Sequence, residues 1–494
     1  MHPVRLDSGG GLGDDATLKS NEPLPLCVDL DGTLLLSDSL LETFCRLLRK
    51  SPWLMLLLPF WLLRGRAHLK AQIAQRVQLD VSSWPLNAEV LAFVQAAKQQ
   101  GRKTILATAA DQRIAAAVQA RLNLFDEIIA SDGTTNLSGQ TKADALVKRF
   151  GEKKFDYLGN STSDLPVWQV ANAAGIVTSD SGLVARVEKI TNVARVFKLP
   201  RLGLKDWARA LRIHQWAKNF LLLIPIMGAH KWTEPARMAT VLAGIAAFSI
   251  CASSVYLLND LLDLDADRQH RSKRHRPFAS GKISLLAGFL LAPLLLFVSA
   301  AMACSLGWKF AAIFGVYYLL TVLYSLRLKQ IELLDVLTLA GLYGIRVLAG
   351  GVVADVPVSD WLMMLSLFLF LSLAFAKRFT ELLAVRSAAD TRLKGRAYVA
   401  SDTELVSSMG VGSGYLSVLV LAMYISHPSV TSLYHHPQAL WLACPVLLYW
   451  ISRVWLLAHR GAMHDDPIIF ALRDRQSWLV VVALALIGFA AGPK

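Results

Sequence analysis

The sequence predicts a two-part chain: an N-terminal α/β domain with a helical cap, followed by an all-α membrane bundle of about nine transmembrane helices. Three observations lead there. Hydrophobicity is uneven, with mixed polar and apolar stretches up to about residue 205 and repeated apolar runs of spanning length over 216–492. Short apolar strand patterns alternate with helical patterns in the first part, as in a parallel sheet with crossover helices. The loops between apolar runs alternate between strongly basic and nearly uncharged, the signature of a chain threaded through a bilayer.

The boundaries follow in order. Residues 1–23 have no apolar core segment and are expected to be a flexible tail, with no signal peptide. Residues 24–195 hold the strand patterns Pro25–Asp29, Lys103–Ala107 and Phe155–Leu158. Residues 196–215 are basic with interspersed aromatics and leucines, as expected of a linker at a membrane surface. Residues 216–494 form the membrane part. Its apolar runs cover roughly 216–232, 237–258, 284–306, 308–325, 333–354, 359–376, 411–427, 438–458 and 477–492.

Loop charge sets orientation. Arg268–Lys282, Arg327 with Lys329, Lys377–Arg396 and Arg460–Arg475 form basic loops, whereas Asp355, Asp360, His435 and His436 lie in the opposite set. The positive-inside bias puts the basic loops and the N-terminal domain in the cytosol, and Lys494 outside, in a multi-pass protein of the inner membrane. The same bias explains the net charge of +14, and no recognition motif points to nucleic acid. Five scattered cysteines give neither a disulfide framework nor a zinc site. Trp53–Leu63 is apolar, too short to span, and flanked by Arg49, Lys50, Arg64 and Arg66. It reads either as a buried cap helix or as a helix lying in the membrane interface.

The acidic string Asn259–Asp267 ends the second span. On a helix Asn259, Asp263 and Asp267 share one face with Asp260 beside them, while Asp265 points elsewhere. Oxygen ligands on one face suit Mg²⁺, which binds through a few carboxylates plus substrate phosphate oxygens. Carboxylates this close to hydrocarbon are costly, which points to function. Arg268, Arg271, Lys273, Arg274 and Arg276 follow, with Arg268, Arg274 and Arg276 as candidate phosphate clamps. Gln215, Lys218 and Asn219 enter the first apolar run and need polar partners, which a sugar phosphate would supply. Asp465, Asp466 and Asp474 form another polar patch, either a substrate contact or a plain loop.

This part resembles the UbiA superfamily of intramembrane prenyltransferases over about 205–490, on the motif Asn-Asp-x-x-Asp-x-x-x-Asp. The longer string Asn259–Gly281 is most similar to the decaprenyl-phosphate phosphoribosyltransferase branch, apart from Ser272 in place of the Pro that branch carries. Arg212–Asn219, Tyr324-Ser325 with Lys329, and Asp335 with Arg346 extend the likeness. The resemblance implies transfer of phosphoribose from phosphoribosyl diphosphate to a polyprenyl phosphate. Asn259, Asp260, Asp263 and Asp267 would bind magnesium, with Asp263 and Asp267 as central catalytic carboxylates. Gln215, Lys218, Asn219, the arginines, Tyr324, Lys329, Asp335 and Arg346 would hold substrate. The aromatic prenyltransferases of the superfamily carry a second Asp-x-x-x-Asp motif, and here Leu339 follows Asp335. That departure favours the phosphoribosyl branch. A prenyltransferase acting on a small acceptor remains the alternative, and a transporter would need inverted repeats, which the sequence lacks.

Asp29-Leu-Asp-Gly-Thr33 follows the first strand pattern. With Thr108, Lys142 and Gly159–Asp164 in the same order, it resembles the haloacid dehalogenase superfamily over about 24–195. The resemblance implies Asp29 as nucleophile, Asp31 as general acid and base, and Thr108 and Lys142 as phosphoryl ligands. Magnesium would sit among Asp29, Asp31, Asn160 and Asp164. Asn160 stands where the family usually has Asp, which weakens the expected metal site. A phosphatase of this kind would remove the 5-phosphate left on the lipid-linked ribose.

Overall fold

The computed structural model describes residues 23–270, 272–387, 393, 396–463 and 466–492. The expected tail, together with Arg271 and Asp465, lies outside the described residues. The chain divides into two compact units: residues 1–201 with 268–274 and 280–284, and residues 202–267 with 275–279 and 285–494.

The first unit is built on six parallel strands, β1 (Leu26–Val28), β2 (Thr104–Asp111), β3 (Glu127–Ser131), β4 (Asp156–Gly159), β5 (Ala173–Thr178) and β6 (Asn192–Lys198), in the order β3-β2-β1-β4-β5-β6. Leu26 pairs with Thr104 on one side and Asp156 on the other, so β1 is the point where the strand order reverses. A crevice forms at the C-terminal ends of strands at such a point. Alternate side chains feed opposite faces. Leu26, Val28, Leu106 and Leu158 join one core, and Cys27, Ile105, Ala107 and Tyr157 the other.

Between β1 and β2 a cap is inserted. The helix Ser39–Lys50 starts on Asp38, whose carboxylate accepts from the Leu41 amide. Short helices Pro52–Leu57 and Leu58–Leu63 and the helix Arg66–Arg76 follow. They share a small core of Leu47, Leu54, Trp61, Ile73 and Val77.

The second unit is helical and multi-pass. Among the described residues seven helices are long and apolar enough to cross a membrane, and an eighth span is counted if the pair Pro467–Arg473 and Arg475–Ala491, bent by 82°, is one. The expected nine therefore becomes seven or eight. The difference lies in the first apolar run, which breaks into Ile213–Leu223 and Ile224–Gly228. Its break coincides with Pro225, which cannot continue a hydrogen-bond ladder. Its Lys218 and Asn219 turn inward, and left-handed Arg212 (φ 50°) sets off its start.

Pro235–Leu262 and Leu334–Ala354 are the central helices, with 67% and 61% of their apolar windows buried, against 22% and 17% for Leu285–Ser305 and Trp308–Leu326. Gly350 lets Leu334–Ala354 touch the irregular segment, because a Cβ there would lie 2.2 Å from the Leu222 carbonyl oxygen. A further difference from expectation is the helix Asp360–Ser387, which runs past the predicted end of its span. Lys377 and Arg378 thus sit inside a helix rather than in a basic loop.

Candidate functional site

Two separate constellations of polar groups stand out, one in each unit. In the first, β1 delivers Asp29 to the reversal point of the sheet. Lys142, from the helix Gln140–Phe150, donates to Asp29 Oδ1 at 2.8 Å and to the Tyr157 hydroxyl at 2.8 Å, and lies 3.7 Å from Asp164 Oδ1. Thr108 is fully buried where the β2–β3 ladder is interrupted, between Ala107 and Asp111, and its hydroxyl accepts from the Ala110 amide at 3.0 Å. Asp31 is held by Ser39, whose amide and hydroxyl donate at 2.7 and 3.0 Å. Gly32 (φ 73°) admits the Asn160 amide so closely that a Cβ would lie 2.0 Å from it.

Burial lifts the Asp29 carboxyl to about 6 against the pull of Lys142. Burial, then Asp38 and Asp29, lift Asp31 to about 7. Burial presses the Lys142 amine down, but Asp29 and Asp164 outweigh it and hold it above its ordinary range. The arrangement suits covalent phosphoryl transfer: one carboxylate faces a fixed cation, and a second group exchanges a proton near neutral pH.

Asp164 lies beside Lys142 and also bonds its own loop. Its Oδ2 accepts from the amides of Asn160 and Ser161, both at 3.1 Å, and its Oδ1 from the Tyr157 hydroxyl at 2.8 Å. It clamps the loop that carries Asn160. The oxygen donors left at the strand ends are the Asp29 carboxylate, the Asp31 carbonyl and the Asn160 amide, a hard-oxygen set that fits Mg²⁺. Lys70, missed in the sequence, reaches from the cap to the Ala109 carbonyl (2.6 Å) and Asn136 (2.9 Å). A lysine in a polar-residue-rich helix gave no signal of that reach.

In the helical unit the acidic string does not present one helix face. The helix Pro235–Leu262 stops at Asp263, and Leu264–Gln269 begins a new one. The break brings Asp260 and Asp267 to one nitrogen of Arg276, at 3.1 and 2.6 Å. Arg212, lying 4.7 Å over the Tyr256 ring, also bonds Asp260. Two carboxylates that converge on one cationic atom fit Mg²⁺, which takes one or two protein carboxylates plus phosphate oxygens. Asn259 donates to Ser325 at 3.1 Å, and Asp263 and Asp265 are half-buried. Among the described residues no group of three His, Cys, Asp or Glu side chains gathers as a metal site.

Three further polar networks lie in the same unit. Asp466 accepts from Lys218 (2.7 Å) and Lys377 (3.1 Å), and Lys218 lies 5.7 Å over the Tyr343 ring. Asn219 donates to Ser249 and accepts from Arg346, each at 2.9 Å, and Arg346 also donates to Tyr317. Asp335 accepts from Tyr324 (2.8 Å) and Arg396 (2.9 Å), and its other oxygen lies 2.7 Å from Arg378 Nε. Gln215 and Lys329 are half-buried.

The basic sequel divides. Arg276 joins the acidic pair. Arg268 belongs to the first unit, where it is buried and forks onto Glu42 at 2.8 and 2.6 Å, which corrects its expected place on phosphate. Arg274 is exposed in that same unit. Asp474 pairs with Arg453 and caps the last helix, so it follows the plain-loop reading. Arg378, Lys377 and Arg396 were missed as site residues, whereas Asp466 belongs to the polar patch the sequence marked. The available signal was the charge density just past an apolar run, which loop arithmetic absorbed.

Residues 26–169 match the haloacid dehalogenase-like hydrolase family, and residues 221–473 match the UbiA prenyltransferase family. An uncharacterized protein, y4nM, of Sinorhizobium fredii is 36% identical over 465 residues, covering 94% of this chain and 90% of that one, so the likeness takes in both units. Nodulation protein NoeC of Azorhizobium caulinodans is 35% identical, over 58% of this chain and 93% of its own. The decaprenyl-phosphate phosphoribosyltransferase of Mycolicibacterium smegmatis is 30% identical, over 58% of this chain and 92% of its own.

Proposed function

The chain belongs to the UbiA prenyltransferase family and carries a haloacid dehalogenase-like hydrolase domain ahead of it, and from that premise we propose that it builds a polyprenylphosphoryl ribose in two steps. The helical unit transfers 5-phosphoribose from phosphoribosyl diphosphate to a polyprenyl phosphate. The soluble unit then removes the 5-phosphate. Loop charge supports placing both sites on the cytosolic face of the inner membrane.

The observation that carries the donor assignment is Asp335. Its carboxylate is fully buried and already neutralised by Arg378 and Arg396. With Leu339 in place of a second aspartate, the Asn259–Asp267 string is the acidic element we assign to the metal, which suits a small diphosphate donor. Similarity to the decaprenyl-phosphate phosphoribosyltransferases supports the same choice.

Asn259, Asp260, Asp263 and Asp267 would hold Mg²⁺, which when bound neutralises the leaving diphosphate. Arg276 and Arg212 hold two of those carboxylates in register. Lys218, Lys377 and Arg346 supply the positive charge that stabilises phosphate oxygens as charge develops. An oxygen of the lipid phosphate attacks the anomeric carbon and diphosphate departs, so no side-chain nucleophile is required. In the soluble unit Asp29 attacks phosphorus and Asp31 protonates the departing ribose hydroxyl. Asp31 then takes a proton from the water that opens the aspartyl phosphate. Thr108 and Lys142 hold the phosphoryl oxygens.

The test is donor choice by the purified full chain in lipid. Labelled phosphoribosyl diphosphate should enter a lipid product with polyprenyl phosphate and magnesium, and Asp263→Ala should abolish this while melting like wild type. Consumption of prenyl diphosphate alone would establish the prenyltransferase alternative instead.

A further inference from the structure

The cap of the soluble unit carries a surface that its own fold does not use. Leu54 and Trp61 face inward, and Arg76 stacks 4.8 Å over the Trp61 ring to fix that rotation. Met55 and Leu58 pack partly against that core, and the other apolar side chains of the segment face out. Trp53 is 65% exposed, Leu56 76%, Phe60 63%, Leu62 53% and Leu63 85%. A cap helix that only closed over a site would present polar residues outward. This segment is apolar on both faces, one packed on the cap core and one left outward. Large exposed apolar patches rimmed by charge mark interaction sites.

The charge around the patch selects the partner. Between Glu42 and Asp80 there is no acidic residue, while Arg46, Arg49, Lys50, Arg64, Arg66, Lys70 and Arg76 all fall in that interval. Arg49, Lys50, Arg64 and Arg66 are exposed at the two ends of the apolar stretch. An aromatic and aliphatic patch edged by cations is complementary to a bilayer with anionic headgroups: rings and leucines enter the acyl boundary, and cations stay at the phosphates. The chain itself supplies that bilayer, since β6 ends at Lys198 and the helical unit's first helix starts at Leu204.

We propose that Trp53–Leu63 is a membrane-docking element that inserts into the acidic leaflet on the side of the soluble unit. The inference does not depend on which phosphate that unit hydrolyses.

The full chain, at one copy per nanodisc of phosphatidylcholine and phosphatidylglycerol, tests it. Exposed Cys304 and half-exposed Cys444 are replaced by Ser, and a nitroxide is placed at Leu63→Cys or, as a reference, at exposed Glu152→Cys. The expected result is loss of contact with a water-soluble nickel chelate at position 63 together with gain of contact with dissolved oxygen, and the reverse at 152. Adding Trp53→Glu and Phe60→Glu should return position 63 to water without changing the melting profile. A label at 63 as open to nickel as the one at 152 overturns the proposal. So does one shielded from both reagents, which means a protein cover, and so does shielding that survives the glutamates.

Discussion

Replacing Asp335 with Asn separates two roles for this carboxylate. Both Asp335 and Arg378 are completely buried, with Arg378 Nε 2.7 Å from Asp335 Oδ2. Arg396 donates to the other oxygen at 2.9 Å and retains some exposure. Asn keeps the shape and removes the charge, leaving the Arg378 guanidinium without its main counterion. Breaking a buried pair on one side costs about 3–5 kcal/mol. Glu381 also bonds Arg378 and is 35% exposed, so it offsets part of the loss. The lower end, about 3 kcal/mol, is therefore expected. Reversible unfolding in mixed micelles measures it. Pairing Asp335→Asn with Arg378→Gln should recover at least about 1 kcal/mol, because the stranded charge goes too. The magnesium concentration for half-maximal transfer should stay unchanged. If Asp335→Asn is as stable as wild type but needs much more magnesium, Asp335 is a metal ligand. The argument for a single-metal donor then fails.

Three further outcomes follow from the geometry. Lys142→Met should abolish phosphate release from p-nitrophenyl phosphate and destabilise the soluble unit by about 3 kcal/mol, since Asp29 and Asp164 lose their shared buried cation; lipid transfer should persist, and its loss would refute independent sites. Asn160→Asp adds a carboxylate to the oxygen set and should lower the half-saturating magnesium of the phosphatase by on the order of tenfold, about 1.4 kcal/mol; an unchanged magnesium titration would remove Asn160 from the metal site. Gly350→Ala should cost about 3 kcal/mol, because its Cβ meets backbone at 2.2 Å, whereas Gly341→Ala in the same helix meets nothing within 4 Å and should be neutral or stabilising. Thermal melts of the two variants decide that.

The soluble site was legible because its chemistry sits at strand ends in a fixed order. Asp29 and Asn160 are placed by β1 and β4, and Lys142 opens a helix that returns over the sheet, so short motifs were enough to collect them. Asp164 shows the limit: a carboxylate in a motif also ties its own loop, and the Tyr157, Asn160 and Ser161 bonds that do so have no signal in the motif. In the helical unit the acidic string was legible from its cost near hydrocarbon. Its geometry was not, because helix periodicity ignores the break at Asp263. Arg378 escaped for a related reason. Apolar run length ended the span at 376, and the next charges looked like a cytosolic loop, whereas their partner Asp335 is 43 residues away. Such pairings are tertiary facts without a local signal. Arg268 likewise shares a basic run with Arg276, yet Arg268 forks onto Glu42 while Arg276 meets the acidic pair.

The most direct measurement is the mass of the lipid product formed from polyprenyl phosphate, phosphoribosyl diphosphate and magnesium by the wild-type chain and by Asp29→Asn. The account predicts a polyprenylphosphoryl ribose from wild type and the same lipid heavier by one phosphate from Asp29→Asn. Identical products from both chains, or no ribosylated lipid from either, would contradict it.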